Sequence, residues 1–375
     1  MRARFSRVVV ISALVACLGA CAPGAAPAPP PPTAPARAVA AAAPASAPTA
    51  APAARTHVRF AAQPVAGYAP VYVAADRGYF AREGLDFELV PFTNASEMIP
   101  ALATGQVEAA TAGGNPAAWN ALARGVQFKI VLDMITLLPG RGATALVIRK
   151  DLYDAGRGHD LSDLPGLNIA ITPPGKATVS ACAVAAGLQR VRLTIADLTL
   201  SSLTFPDMVP ALANGSIDGG VLAEPFVTRA RRQGTVVRVM GLDEMYPNFS
   251  LSHVAYSPAF YADRPAAKAF ARAFIRAGRE YLAAIDGRTG EADRAQIDEI
   301  IARHTGLDAA TVHEMTPSGL NPNGLPNRES TTYCYEYFRA NGLIPEPVPE
   351  AAMAALWGTD LVEEVLAEIG RVPEQ

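Results

Sequence analysis

The sequence predicts an α/β fold of two lobes with a ligand cleft between them, and two observations carry this prediction. The first is a repeat, because Met98–Glu108 recurs as Met208–Asp218 with Met, Pro, Ala, Leu, Ala and Gly at identical offsets. The second is an alternation of strand-like and helix-like segments, which is typical of a parallel or mixed sheet covered by helices. Two similar units in one chain place a cleft between them, and ligands bind in clefts.

Residues 1–20 are predicted to be a signal peptide, because three arginines precede an apolar run that is too short to span a bilayer. Residues 18–21 (Leu-Gly-Ala-Cys) follow the lipobox pattern, which predicts a lipid on Cys21 that holds the protein at a bacterial membrane surface. An ordinary signal peptide or a membrane anchor is the alternative. Residues 21–54 are almost entirely Ala, Pro, Ser and Thr, and we expect a tether because such a segment cannot build a core.

The remaining residues, about 320 of them, are enough for two domains. We expect a first lobe formed by residues 55–148 and 252–375, with a second lobe of residues 149–251 inserted between its two parts.

Formal net charge is −3, and removing the three signal-peptide arginines takes it to −6. This balance gives no support to a nucleic-acid partner. A monomer is expected.

Two cysteines, Cys182 and Cys334, lie within the folded part, far apart and without the spacing of a metal site. They are compatible with a disulfide in an oxidising compartment, but two buried free thiols are the preferred expectation.

The first lobe is predicted to begin with a strand over 57–62 and a helix that opens at Gly67-Tyr68-Ala69-Pro70, since proline suits the first helical turn. The elements expected after this helix are a strand over 85–90, the first repeat helix, a strand over 107–111, a helix over 116–124 and a strand over 127–134.

The second lobe repeats this alternation and is entered by a strand over 143–149. Its further elements are predicted as strands over 167–172, 198–203, 217–222 and 235–240, and helices over 177–188, 206–214 and 225–233. Residues 246–256 return to the first lobe, and Asp263-Arg264-Pro265 opens a helix with an apolar stripe that needs a core to cover it. Further helices are expected over 292–303, 308–315, 328–340 and 348–369.

Ligands of α/β sheets bind beyond the carboxyl ends of strands, and two loops in such positions are candidates. In the first lobe, Gly113, Gly114 and Asn115 follow a strand, with Asn115 as the expected N-cap of the next helix. In the second, Gly175, Lys176, Ala177 and Thr178 precede a helix. Two helix N-termini facing one cleft would hold an anionic or polar group, although ordinary turn chemistry also accounts for each loop.

Four further side chains are candidates for ligand contacts. Tyr68 follows the first strand and Asn94 the second, and Glu224 and Phe226 follow the strand of the second repeat. Asn94 and Glu224 have helix capping as the alternative role. Trp119 is expected in the core.

Signs of catalysis are weak, because no His-Glu-x-x-His pair, Gly-x-Ser-x-Gly elbow or phosphate-binding loop occurs. We therefore expect no catalytic residue, no metal and no cofactor.

Residues 68–74 and 78–85 resemble the opening of type II periplasmic solute-binding proteins, in the nitrate/sulfonate/taurine-binding and thiamine-pyrimidine-synthase-like group. Residues 101–108 and 222–226 resemble later segments of that group, and the likeness covers most of 57–345. It implies a non-enzymatic, exported subunit that passes a small anionic or heterocyclic solute to an ABC permease and its ATPase. It also implies ligand roles for Tyr68, Gly113–Asn115 and Gly175–Thr178.

Two alternatives to transport stay open. One is an enzyme of the same fold that acts on a pyrimidine or a small acid, although the cysteine-rich motif of the pyrimidine synthases has no match here. The other is a ligand-sensing subunit of a membrane receptor.

Overall fold

The computed structural model describes residues 55–92, 97–112 and 114–374. Within these residues, ten strands form two five-stranded sheets. The strands are β1 (Thr56–Ala62), β2 (Leu85–Pro91), β3 (Ala109–Ala112), β4 (Lys129–Leu137), β5 (Thr144–Arg149), β6 (Asn168–Ile171), β7 (Thr199–Ser202), β8 (Gly219–Ala223), β9 (Val236–Gly241) and β10 (Phe249–Tyr256).

Sixteen α-helices within the described residues pack on these sheets. They are α1 (Ala69–Asp76), α2 (Tyr79–Arg82), α3 (Met98–Ala103), α4 (Pro116–Ala123), α5 (Lys150–Asp154), α6 (Val179–Arg190), α7 (Phe205–Ala213), α8 (Phe226–Arg232), α9 (Leu242–Met245), α10 (Pro258–Ala262), α11 (Arg264–Ile285), α12 (Glu291–Thr305), α13 (Ala309–Glu314), α14 (Arg328–Ala340), α15 (Glu350–Ala355) and α16 (Thr359–Ile369). None of them combines the length and apolar character needed to cross a bilayer.

The two sheets have the same plan, which confirms the predicted two-lobed α/β fold. The strand orders are β2-β1-β3-β10-β4 and β7-β6-β8-β5-β9. The fourth strand of each sheet, β10 or β5, runs antiparallel to both of its neighbours. The repeat noted in the sequence supplies the third strand and the helix before it in each lobe, α3–β3 and α7–β8.

Two chain crossings join the lobes, through residues 138–143 and 242–248. Strand pairing assigns Thr144–Arg149 to the second sheet and Phe249–Tyr256 to the first. The crossings therefore lie a few residues before the predicted lobe boundaries at 148/149 and 251/252.

The main core of the first lobe is packed around α11, and the predicted apolar stripe of this helix is buried. Phe270, Phe274 and Tyr281 are among its buried side chains. They belong to one apolar cluster with residues of β1, α1, α12 and α16. Asp263 caps α11 by accepting a hydrogen bond from the Ala266 amide at 3.3 Å, as its place before Arg264-Pro265 suggests.

The predicted helix over 348–369 is wrong, because it is two helices, α15 and α16, separated at 356–358. The Ile130 amide donates to the Leu356 carbonyl at 2.8 Å, and the Gly358 amide donates to the Ile130 carbonyl at 2.8 Å. The chain therefore leaves the helix to pair with the edge of β4, a tertiary interaction that helical periodicity does not reveal.

The preference for free thiols is also wrong, since Cys182 and Cys334 form a disulfide with Cα atoms 5.7 Å apart. Both residues are buried, on α6 and α14.

The predicted signal peptide, the lipidation site Cys21, the tether, Asn94 and Gly113 lie outside the described residues.

Candidate functional site

The carboxyl edges of the two sheets meet at the crossings. Leu137 at the end of β4 pairs with Phe249 at the start of β10, so both crossings reach the first sheet at this edge. Thr144 at the start of β5 pairs with Ala223 at the end of β8, which puts the crossing at the carboxyl edge of the second sheet as well. Loops that follow parallel strands in either lobe therefore lie on the sides that the crossings join.

On the first edge, Tyr68 is a buried side chain that ends the loop after β1. Burial raises the pKa of its hydroxyl, and hydrogen bonds with Thr111 and Ser252 partly oppose that rise. Thr111 is on β3 and Ser252 on β10, so the phenol links the loop after β1 to two neighbouring strands of the sheet. The sequence analysis identified Tyr68 but missed the two hydroxyl groups that fix it.

Asn115 is the N-cap of α4, as predicted. Its Oδ1 accepts a hydrogen bond from the Ala118 amide at 3.0 Å, and Pro116 supplies the first helical residue. The Gly114 carbonyl accepts a 2.7 Å hydrogen bond from the indole Nε1 of Trp119, which is buried in the core as expected. A Cβ at Gly114 would lie 3.2 Å from Thr331 Cγ2, so this glycine allows α14 to approach the loop.

His253 is a buried residue of the same edge that sequence reasoning missed. Its Nδ1 lies 3.2 Å from the Ala112 carbonyl, and its Nε2 lies 3.2 Å from Thr331 Oγ1. Burial lowers the pKa of the imidazole to about 4, so it is neutral at pH 7. The one sequence signal for His253 is its position within residues 246–256, which return to the first lobe, because it matches no metal or catalytic spacing.

Asp133 lies beneath this edge and is fully buried. Its carboxylate accepts hydrogen bonds from the Asn321 amide at 2.8 Å, from Thr136 Oγ1 at 2.8 Å and from Ser250 Oγ at 3.1 Å. Burial raises its pKa to about 6 despite these three donors. The group holds the 321 loop against β4 and β10, which is a structural task.

On the second edge, residues 175–177 form a turn that leads into α6. Gly175 has φ +70°, a backbone conformation that favours glycine. Thr178 is the N-cap of α6, because its Oγ1 accepts from the Ala181 amide at 3.2 Å and donates to the Gly175 carbonyl at 3.0 Å. Ala177 is buried, whereas Lys176 is exposed and offers its carbonyl to the Tyr337 hydroxyl at 3.3 Å.

Glu224 performs the helix-capping role that the sequence left as its alternative. Its buried carboxylate accepts from the Thr228 amide and from Thr228 Oγ1, each at 3.0 Å. It also accepts from the Thr316 amide at 3.3 Å, a contact between the second lobe and the C-terminal part of the chain. Burial raises the pKa of Glu224, and these hydrogen bonds partly oppose the rise.

Phe226 is half-buried at the start of α8 and stacks on Phe205, with ring centroids 5.6 Å apart. Both helices follow strands at the carboxyl edge of the second sheet, so this edge carries an aromatic pair. Sequence analysis named Phe226 alone, since the packing of α7 against α8 is not visible from spacing.

One further groove lies apart from the candidate cleft. A groove of about 370 Å³ runs beside Phe128 and Lys129 at the amino end of β4. Among the described residues, no group of three or more His, Cys, Asp or Glu side chains is placed to hold a metal ion.

Comparison with known proteins identifies a family and a fold. Residues 66–285, more than half of the chain, match the family described as NMT1/THI5 like. A relative from Chloroflexus aurantiacus, the riboflavin-binding protein RibY, is 27% identical over 303 residues, which cover 76% of this chain and 80% of that protein.

Solved structures share the fold at low identity. The periplasmic aliphatic sulphonate binding protein SsuA from Escherichia coli aligns with a TM-score of 0.64 and 19% identity, covering 81% of this chain and 92% of that one. The periplasmic nitrate-binding protein NrtA from Synechocystis PCC 6803 aligns with a TM-score of 0.65 and 13% identity, covering 84% of this chain and 89% of that one. The desulfurization enzyme DszB aligns with a TM-score of 0.56 and 16% identity, covering 84% of this chain and 100% of that one.

Proposed function

The chain belongs to the NMT1/THI5-like family, and we propose that it is an exported solute-binding protein that captures a small molecule between its lobes and delivers it to an ABC import permease. The observation that carries the proposal is the meeting of two similar carboxyl edges at the crossings, each with a capped helix N-terminus, Asn115 on α4 and Thr178 on α6. Likeness to a riboflavin-binding, a sulphonate-binding and a nitrate-binding protein supports it.

For the ligand we propose a neutral heterocycle, with a flavin as the first candidate. The charged side chains buried near the two edges and the crossings are the carboxyls of Asp133, Glu224 and Asp243, and none of the described arginines or lysines is buried. A small inorganic anion would gain little from such surroundings, because burying a charge is costly without a partner. The aromatic pair of Phe205 and Phe226 offers a surface on which a planar ring can stack.

A small anion such as a sulfonate or nitrate is the second candidate. The amides at the starts of α4 and α6 favour negative charge, and exposed Lys176 adds a cation beside one of them.

We also propose that the protein is a monomer anchored by a lipid on Cys21, with residues 21–54 as its tether, in the periplasm or at the cell surface. The lipobox residues 18–21 support this, and a permease and its ATPase would be the partners.

The test is a thermal-shift and fluorescence titration of the full chain carrying Cys21→Ser, which prevents lipidation. Riboflavin, an aminopyrimidine, an aromatic carboxylate, an alkanesulfonate and nitrate form the panel. A ligand at 100 times its Kd stabilises the folded state by about 2.7 kcal/mol, which is readily seen. A shift with riboflavin alone supports the heterocycle, a shift with nitrate or sulfonate alone supports the anion, and no shift from any compound counts against solute binding.

The two alternatives predict different results. An enzyme related to DszB in fold would convert the bound compound, so chromatography of the released ligand separates binding from turnover. A sensor would bind without supporting uptake, so loss of radiolabelled solute uptake in a deletion strain favours transport.

A further inference from the structure

The Cys182–Cys334 disulfide joins elements that belong to different parts of the fold. Cys182 lies on α6, which covers the second sheet and begins at the candidate ligand turn ending in Thr178. Cys334 lies on α14, 152 residues further along the chain. Both residues are buried, at 0% and 1% exposure, so the bond lies inside the packing between the two helices.

Hydrogen bonds attach α14 to the first lobe. The Ser250 amide on β10 donates to Ser330 Oγ at 3.0 Å, and the Asn327 amide donates to Ser250 Oγ at 2.9 Å. Thr331 Oγ1 lies 3.2 Å from His253 Nε2, also on β10. The N-terminal half of α14 is therefore fixed to a central strand of the first sheet.

The other half of α14 is attached to the second lobe. The disulfide is one attachment, and the hydrogen bond from the Tyr337 hydroxyl to the Lys176 carbonyl at 3.3 Å is another. Phe338 of α14 and Leu188 of α6 belong to one buried apolar cluster. Tyr335 of α14 also packs against Trp119 of α4 in the first lobe, with ring centroids 5.1 Å apart. The helix therefore lies on the first lobe along its length and is joined to the second lobe through Cys334 and Tyr337.

Other contacts between the second lobe and the C-terminal part of the chain are not covalent. Arg232 on α8 pairs with Glu314 on α13 at 2.9 Å, and both side chains are more than 40% exposed. Glu224 accepts from the Thr316 amide at 3.3 Å. Such contacts can break and re-form when the lobes rotate, and the exposed ion pair does so at small cost, whereas the disulfide cannot open without a reductant.

We infer that the Cys182–Cys334 disulfide is an interlobe staple that restricts how far the cleft opens about the crossings. Because α14 is attached to both lobes, it cannot move with both when they separate. Opening must therefore break the contacts of α14 either with β10 or with α6. The disulfide prevents α14 from separating from α6. The inference concerns the lobes alone and does not depend on which ligand binds.

The test is small-angle X-ray scattering of the ligand-free full chain carrying Cys21→Ser, in the oxidised state, after reduction, and with the added pair Cys182→Ser and Cys334→Ser. Dithiothreitol reduces the bond by passing two electrons and two protons from its thiols to the two Sγ atoms, and it leaves as its cyclic disulfide. Reduction opens the disulfide without any substitution, so the reduced protein shows whether an effect of the double variant comes from loss of the bond or from the serine side chains.

A compact folded part of about 320 residues has a radius of gyration of about 20 Å, and residues 1–54 are common to every sample. We expect the radius of gyration of the full chain to rise by about 1 Å in both opened forms. Tyr337→Phe, which removes only the hydrogen bond to Lys176, is the matched control and should scatter like the oxidised protein. Equal radii in oxidised, reduced and double-variant protein would overturn the inference. Loss of helical circular dichroism in both opened forms would also overturn it, because the disulfide would then maintain the fold and not the interlobe angle.

Discussion

Glu108 and Asp218 make the same backbone hydrogen bond in the two lobes. Glu108 Oε2 accepts from the Arg59 amide at 2.8 Å, and Asp218 Oδ2 accepts from the Asn168 amide at 2.9 Å. In return, the Glu108 amide donates to the Arg59 carbonyl at 3.1 Å, and the Asp218 amide donates to the Asn168 carbonyl at 2.9 Å. An acidic residue therefore ends each copy of the sequence repeat because it closes the junction of two parallel strands.

Alanine at either acid should destabilise the fold by about 1–2 kcal/mol, because an amide loses its charged acceptor. We expect the larger loss from Glu108→Ala, since the Glu108 carboxylate pairs with the Arg59 guanidinium at 2.7 Å, whereas Asp218 lies 3.6 Å from the Arg149 guanidinium. Urea unfolding monitored by circular dichroism measures the difference. Glu299→Ala, at an exposed helical position, is the control and should leave the midpoint unchanged. Equal stability of all three variants would show that the repeated junction contributes nothing.

Loss of the Cys182–Cys334 disulfide should lower the free energy of unfolding by about 3–5 kcal/mol. The bond closes a loop of 152 residues, and a cross-link over so long a loop removes much conformational freedom from the unfolded chain. Urea titrations with and without dithiothreitol measure the effect, and the Cys182→Ser, Cys334→Ser double variant should match the reduced protein and be insensitive to reductant. Identical midpoints with and without reductant would refute this stabilisation.

His253 and Asp133 should give opposite pH dependences of stability. Burial lowers the pKa of His253 from 6.5 to about 4, so the folded state binds fewer protons than the unfolded chain between these values and its stability rises with pH there. Burial raises the pKa of Asp133 from 3.8 to about 6, so stability falls as pH rises through that window. The two effects largely cancel in the unmodified protein.

A substitution that removes one of the two groups should therefore reveal the pH dependence of stability caused by the other. In Asp133→Asn, stability should rise between pH 4 and 6.5, by on the order of 3 kcal/mol for the histidine alone. In His253→Asn, stability should fall between pH 4 and 6. Urea unfolding at four pH values in this range measures both, and parallel pH profiles in the two variants would contradict the assignment of opposite shifts.

The sequence was sufficient wherever the signal was local. Proline and asparagine at the start of α4, and Asp263 before α11, predicted helix starts that the structure has. The repeat predicted two lobes of one plan because it contains a whole helix–strand unit.

What sequence reasoning missed depends on distant pairing. The break at 356–358 exists because Ile130 bonds to that segment, and Cys182 and Cys334 meet only through the packing of α6 on α14. His253 and Ser252 join the first edge because of the register between β10 and β3, which no local pattern encodes.

The two helix caps provide the sharpest test of whether the paired edges form one site. Thr178→Ala and Asn115→Ala each remove a side chain that accepts a helix amide, at 3.2 Å and 3.0 Å, and each should cost about 1 kcal/mol of stability. Thr178→Ser and Asn115→Asp keep an acceptor oxygen and are the matched controls. If both edges contact the ligand, each alanine variant should also weaken binding of the titrating compound several-fold more than its control does. Binding that changes for one cap only would confine the ligand to that lobe, and unchanged binding in both alanine variants would remove the caps from the site.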